Sequence, residues 1–161
     1  MGLKQADALG EFFADIHLDA ASTSPLSRAR RTMTGVLAHH PDITPVVREK
    51  LHEIKGRKIT DLSFDEYNER FDNILMTFQT RPSAFTATES KSIPEVYRRF
   101  TIETCAITEE NICKDFIVVS HGTAVQSWLF YAKDIDEGHI RFDFLPIGNR
   151  YRLHWETAKI I

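Results

Sequence analysis

One stretch, Asp115-Phe-Ile-Val-Val-Ser-His-Gly-Thr-Ala124, restricts the folds open to this chain more than any other. Phe116 to Val119 form a short continuous apolar run, the pattern of a strand buried on both faces of a parallel sheet. Ser120, His121 and Gly122 follow at once, and then a helix-forming run from Ala124 to Ala132. His121 is thereby expected in a strand-to-helix turn at the carboxyl edge of a sheet, where open α/β folds place their ligand sites. The N–H groups that begin a helix make the same edge attractive to anions. His121 is the first candidate functional residue, with Gly122 and Thr123 as backbone donors beside it.

A chain of 161 residues suits one domain with a substantial core, residues 1–161. Its net charge of −3 gives no reason to expect nucleic acid or an acidic membrane as a partner. No apolar run approaches the roughly 18 residues that a membrane span needs, and no amino-terminal signal pattern is present, so the expected location is cytoplasmic. The two cysteines, Cys105 and Cys113, lie in no metal or redox motif and read as free thiols. Neither a cofactor nor a metal is implied.

Taken in order, the chain opens on a helix, with Leu3, Ala6, Leu9, Phe13 and Ile16 at three- and four-residue steps. Ala20 to Ser24 is small and β-prone. Ser24 is placed to cap a helix that has Pro25 at its first position and ends near Ala38, before the His39-His40-Pro41 break. Pro45 to Leu51 reads as extended. Asp61 to Gln79 carries a helical apolar stripe, and Arg81 to Ser92 reads as a loop. Pro94 opens a second long helix to about Glu109. After the 115–124 stretch, Ile140 to Leu145 and Arg150 to Trp155 alternate as an antiparallel pair joined by Pro146-Ile-Gly-Asn149. The expected class is α/β: a mostly parallel sheet with helices on both faces, a three-layer α/β/α arrangement, and a carboxyl-terminal hairpin.

Such a sheet edge can gather Arg28, His121 and a carboxylate from the intervening segment. A guanidinium fork holds two phosphate oxygens at once, and an imidazole can donate to a third. A nearby carboxylic acid can protonate a leaving alkoxide. Those groups suit phosphoryl transfer without a metal, where positioning and charge stabilisation carry most of the catalysis. No P-loop, dinucleotide fingerprint, HExxH spacing or GxSxG elbow competes with that reading.

These segments resemble the histidine phosphatase superfamily, the phosphoglycerate mutase-like family, over most of the chain. Gly2-Leu-Lys-Gln-Ala-Asp-Ala-Leu-Gly10 is similar to that family's G-x-x-Q-A-x-x-L-G helix. Ser24-Pro-Leu-Ser-Arg-Ala-Arg-Arg-Thr32 looks like its S-P-L-x-R-A-x-x-T segment, and Leu51-His-Glu-Ile54 with Gly56 like its acid-bearing L-x-E-I…G. Thr88-Glu-Ser90 resembles a G-E-S turn that precedes an arginine-bearing helix, here with Arg98 or Arg99. Val118-Val-Ser-His-Gly122 matches the V-S-H-G turn of the second active-site histidine. Two departures stand out. Glu53 lies three residues before Gly56 where the family has four, and Thr88 replaces the glycine of G-E-S.

By this resemblance Arg28 clamps the phosphoryl group, His121 donates to it and Glu53 is the general acid and base. Ser24, Gly122 and Thr123 join Arg28 and His121 in phosphate binding. The ligand implied is a phosphate ion or a phosphorylated small molecule, and residues 56–92 are expected to cap the pocket. The family's nucleophile is a histidine in an R-H-G motif that ends its first strand. That strand and motif are absent here, and none of the seven histidines follows the pattern.

The chain therefore reads as a family domain lacking its first strand, inactive alone, whose parent is a phosphatase or phosphomutase. The alternative is a catalytically silent phosphate-binding or regulatory module. Loss of an interior strand would expose unpaired backbone groups. Rearranged strand order, a strand supplied by a second copy in a homodimer, or low stability would then follow.

Overall fold

The computed structural model describes residues 2–54, 69, 92–132, 153–154 and 159–160. The expected helix 61–79, most of the 56–92 cap, and the strand 140–145 with its turn 146–149 lie outside the described residues. The chain divides into two compact units, residues 1–52 with 102–121, and residues 53–101 with 122–161.

In the first unit the sheet is built on β1 (Ala20–Thr23), which pairs in parallel with β2 (Val46–Val47) on one side and β3 (Phe116–Val119) on the other. The register sets Ala20 against Phe116 and Thr23 against Val119, so the two strands end level. Small residues suit the middle strand. Ala21, Ser22 and Thr23 are all buried, and Asp19 and Asp115 tie the strand starts together through Asp19 N–H to Asp115 C=O at 2.7 Å.

Helix α1 (Gly2–Phe13) packs on α2 (Ser27–Val36) through small residues. A Cβ placed on Gly10 would lie 2.3 Å from the carbonyl oxygen of Gly35, and one on Gly35 would lie 2.6 Å from that of Ala6. The helices approach backbone to backbone, which explains Ala6 and Gly10 on the inner side of α1. Ala29, Met33 and Val36 form the buried stripe of α2.

Helix α2 starts later than its sequence suggests. Its cap position is Leu26, which makes no side-chain cap bond, rather than Ser24. The physical reason is that Ser24 still belongs to the sheet, because its N–H donates to Val119 C=O at 3.0 Å. Helix α3 (Ile93–Glu110) instead begins with a capping box, in which Ser92 N–H donates to Glu95 Oε2 at 2.9 Å and Glu95 N–H to Ser92 Oγ at 3.4 Å.

The segment after β2 is held by ion pairs. The Arg48 guanidinium pairs with both carboxylate oxygens of Glu110 and lies 3.7 Å from Glu103, while Lys50 Nζ reaches Glu103 at 3.4 Å. Arg48 N–H also donates to Thr23 C=O at 2.9 Å, extending the β1–β2 ladder. A 3₁₀ turn over Glu49–Leu51 follows, with Leu51 fully buried.

In the second unit, α4 (Gly122–Ala132) begins two residues before the expected Ala124. Ile93, Val96 and Phe100 of α3, and Ala124 and Leu129 of α4, are buried there. The short strands β4 (Leu153–His154) and β5 (Lys159–Ile160) pair antiparallel. Among the described residues no helix is long and apolar enough to cross a membrane.

Candidate functional site

The level ends of β1 and β3 bring Ser24 and His121 together although 97 residues separate them. Ser24 leaves β1 and His121 leaves β3 on the same edge of the parallel sheet, the edge at which the 115–124 stretch placed His121. Ser24 Oγ lies 2.7 Å from His121 Nε2. Arg28, in the first turn of α2, donates from Nε to His121 Nδ1 at 3.1 Å. Both ring nitrogens are engaged, and His121 is 8% exposed.

Arg28 is itself exposed, and among the described residues its side chain bonds only through Nε; a guanidinium's remaining nitrogens form a planar fork suited to a bidentate grip on an anion. No acidic residue stands in the first turn of α2, which leaves that positive helix end uncompensated by its own side chains. Ser120 anchors the same turn from its other side, donating from Oγ to Leu51 C=O at 2.7 Å. Arg30 and Arg31 are exposed, as expected of a solvated basic face.

Glu53, Gly122 and Thr123 belong to the second unit. There both carboxylate oxygens of Glu53 accept backbone donors, Oε1 from Ile54 N–H at 2.8 Å and Oε2 from Thr123 N–H at 3.1 Å. Thr123 is the second residue of α4, so Glu53 sits at the positive end of that helix. Gly122 is exposed, and a side chain there would meet nothing within 4 Å.

Of the two arginines that the sequence offers on α3, Arg98 and Arg99, Arg99 is the half-buried one. Its guanidinium is pushed below the usual arginine value by burial, against which the carboxylates of Glu53 and Glu95 act. Arg98, its neighbour, is exposed. The signal that could have separated the two is helical phase: Val96 and Phe100 define the buried stripe, and Arg99 falls three residues from Val96.

Of the remaining described histidines, His17 and His39 are exposed and pair with Asp19 and Glu11, while His40 bonds the Phe13 carbonyl at the end of α1. Among the described residues no group of three His, Cys, Asp or Glu side chains is placed to hold a metal ion.

The sequence model of the histidine phosphatase superfamily, branch 1, matches residues 1–159. The chain belongs to this superfamily. Solved structures of similar fold include YhfR of Bacillus stearothermophilus, with a TM-score of 0.78 and 21% identity over 85% of this chain and 67% of that one. A mycobacterial glucosyl-3-phosphoglycerate phosphatase complexed with VO3 gives a TM-score of 0.79 at 14% identity, covering 98% of this chain and 80% of that one. A phosphoglycerate mutase from Bacillus anthracis gives 0.65 at 20% identity, covering 82% and 66%. No curated protein matches the sequence. The expected phosphoglycerate mutase-like α/β fold is thus the fold of this superfamily member.

Proposed function

We propose that this histidine phosphatase chain holds a phosphate group with Arg28 and His121 and serves phosphoryl transfer, either phosphomonoester hydrolysis or a phosphomutase reaction. The observation that carries this reading is the Arg28 Nε to His121 Nδ1 bond at 3.1 Å, made by the two residues that the family resemblance assigns to the phosphoryl group. A transferring phosphoryl group spreads charge over three equatorial oxygens, and a fixed guanidinium beside an imidazole answers that charge without reorganisation. Glu53 is the proposed proton donor to the leaving oxygen, its carboxylate oriented by Ile54 and Thr123 N–H.

Covalent transfer through a phosphohistidine needs a nucleophilic imidazole, and no Arg-His-Gly triplet occurs in these 161 residues. The chain alone is therefore proposed to bind phosphate without appreciable turnover. Removing the nucleophile from a site that acts as a unit costs several powers of ten in rate.

That same missing triplet favours a second reading, a phosphate-binding or regulatory module with no catalysis in its working form. A paired measurement decides. Calorimetric titration with inorganic phosphate is expected to show binding that Arg28→Ala removes, and an aryl phosphate assay without metal is expected to show no turnover. Binding absent at millimolar phosphate sinks both readings. Robust turnover lost only on changing His121 sinks the requirement for an additional histidine.

A further inference from the structure

We infer that Ser24 is a positioning residue rather than a phosphate ligand: it accepts the Nε2 hydrogen of the tautomer that Arg28 imposes on His121 and so fixes the orientation of the ring. The inference rests on the phosphate-binding reading of His121, yet its evidence is a set of hydrogen bonds that exists without any anion.

A guanidinium has only donors and is never deprotonated in proteins. The Arg28 Nε–H that points at His121 Nδ1 over 3.1 Å therefore requires a lone pair on Nδ1. An imidazole with a free lone pair on Nδ1 is neutral and carries its hydrogen on Nε2. That hydrogen faces Ser24 Oγ at 2.7 Å, so the histidine donates and the serine accepts. Ser24 Oγ accepts a second bond from Leu26 N–H at 3.3 Å, which fills both of its lone-pair directions.

The serine is held from several directions at once. Its N–H donates to Val119 C=O at 3.0 Å, its carbonyl accepts from Thr23 Oγ1 at 3.4 Å, and it has no exposed surface. An anion from solvent cannot reach Ser24 Oγ, which has no exposed surface and is engaged by His121 Nε2 and Leu26 N–H, without displacing one of those partners. Ser24 thus acts on an anion only through His121. With Nε2 tied to Ser24, Nδ1 is the nitrogen on the Arg28 side, and to donate to an anion held by that guanidinium it must take up a proton and release the bond from Arg28 Nε–H.

Nitrogen-15 NMR of the 161-residue chain tests this, at about pH 8.5, where an ordinary imidazole is neutral. In the unliganded protein His121 is expected to show a protonated Nε2 and an unprotonated Nδ1, with an Nε2 hydrogen slow to exchange. Adding inorganic phosphate is expected to leave that Nε2 hydrogen in place. An Nδ1-protonated tautomer, or loss of the Nε2 hydrogen on adding phosphate, overturns the inference.

Ser24→Ala adds a second arm. It is expected to leave the tautomer in place, to speed exchange of the now unpartnered Nε2 hydrogen, and to raise the dissociation constant for inorganic phosphate about tenfold, the scale of one lost hydrogen bond. Weakened phosphate binding with the Nε2 hydrogen exchanging as slowly as before means that Ser24 touches the anion directly, which also overturns the inference. Should the variant not fold, the measurements on the unmodified chain decide alone. If phosphate binds neither protein while the tautomer is as stated, the phosphate-binding reading fails and the tautomer assignment stands.

Discussion

The backbone N–H of Thr123 donates to Glu53 Oε2 at 3.1 Å, joining the second residue of α4 to a carboxylate 70 positions earlier in the chain. Ile54 N–H occupies the other oxygen at 2.8 Å. A carboxylate accepts at both oxygens, whereas an amide accepts at one and donates at the other. This arrangement serves the start of α4 as an external cap and gives the proposed acid one orientation.

Glu53→Gln is expected to destabilise the protein. Whichever way the amide turns, its NH2 group faces either Ile54 N–H or Thr123 N–H, so one donor loses its acceptor and meets another donor. The expected cost is about 1–2 kcal/mol, from one lost acceptor and a weakened helix end. Urea denaturation at pH 7 measures it. An unchanged midpoint would mean that neither amide bond contributes to folding.

Arg28→Lys separates charge from geometry. Lysine keeps the positive charge but has no Nε–H to hold His121 Nδ1 and no planar fork. Phosphate affinity is expected to fall at least about tenfold, the worth of one charge-assisted bond. Stability is expected to change by less than about 0.5 kcal/mol because Arg28 is exposed. Titration calorimetry beside a thermal melt reads both quantities, and equal phosphate affinity in the two proteins would show that charge alone suffices.

What was legible in the sequence was what periodicity and local chemistry encode. The Phe116–Val119 run gave β3, the Leu3-to-Ile16 spacing gave α1, which ends about a turn earlier at Phe13, and the strand-to-helix change placed His121 at the sheet edge. Features set by partners distant in sequence were not legible. Ser24 looked like a helix cap because serine before proline is a common helix start. Its N–H instead belongs to Val119, and no local pattern announces that ladder bond. Thr123 could be named as a backbone donor, but its acceptor, Glu53, is fixed only by the fold. The expected partner of residues 150–155, the strand 140–145, lies outside the described residues, and no local pattern announces the pairing of 153–154 with 159–160. Gly10 and Gly35 illustrate the middle case: each is visible as a glycine within a helical pattern, yet only packing shows that the two face each other.

That contact makes its own prediction. In an isolated helix Gly→Ala gains up to about 1 kcal/mol of propensity. Here the new Cβ of Gly10→Ala would be 2.3 Å from Gly35 C=O, and that of Gly35→Ala 2.6 Å from Ala6 C=O. The obstacle in each case is backbone, which yields only if α1 and α2 move apart. Each variant is expected to be destabilised by about 1–3 kcal/mol after that gain. Thermal melts of the single variants check this, and a raised melting temperature in either would contradict the close approach of the helices.

Acid sensitivity at the strand starts follows from Asp19. Its carboxyl is held below the usual carboxylate value, chiefly because Asp115 N–H donates to it, at 2.8 Å to Oδ2, with smaller contributions from His17 and Lys114. A carboxyl depressed in the folded state binds its proton more readily when the chain is unfolded. Its stabilisation is therefore complete above the unfolded value of about 4 and is lost as pH falls through the lower folded value. Asp19→Asn keeps an oxygen that can accept from Asp115 N–H but carries no charge. The stability difference between the native chain and this variant is expected to be constant at neutral pH and to shrink as the pH falls below about 4. Urea midpoints collected between pH 7 and pH 2 provide the measurement. A difference that does not vary with pH would assign the effect to the hydrogen bond alone, and one that grows on acidification would reverse the sign of the linkage.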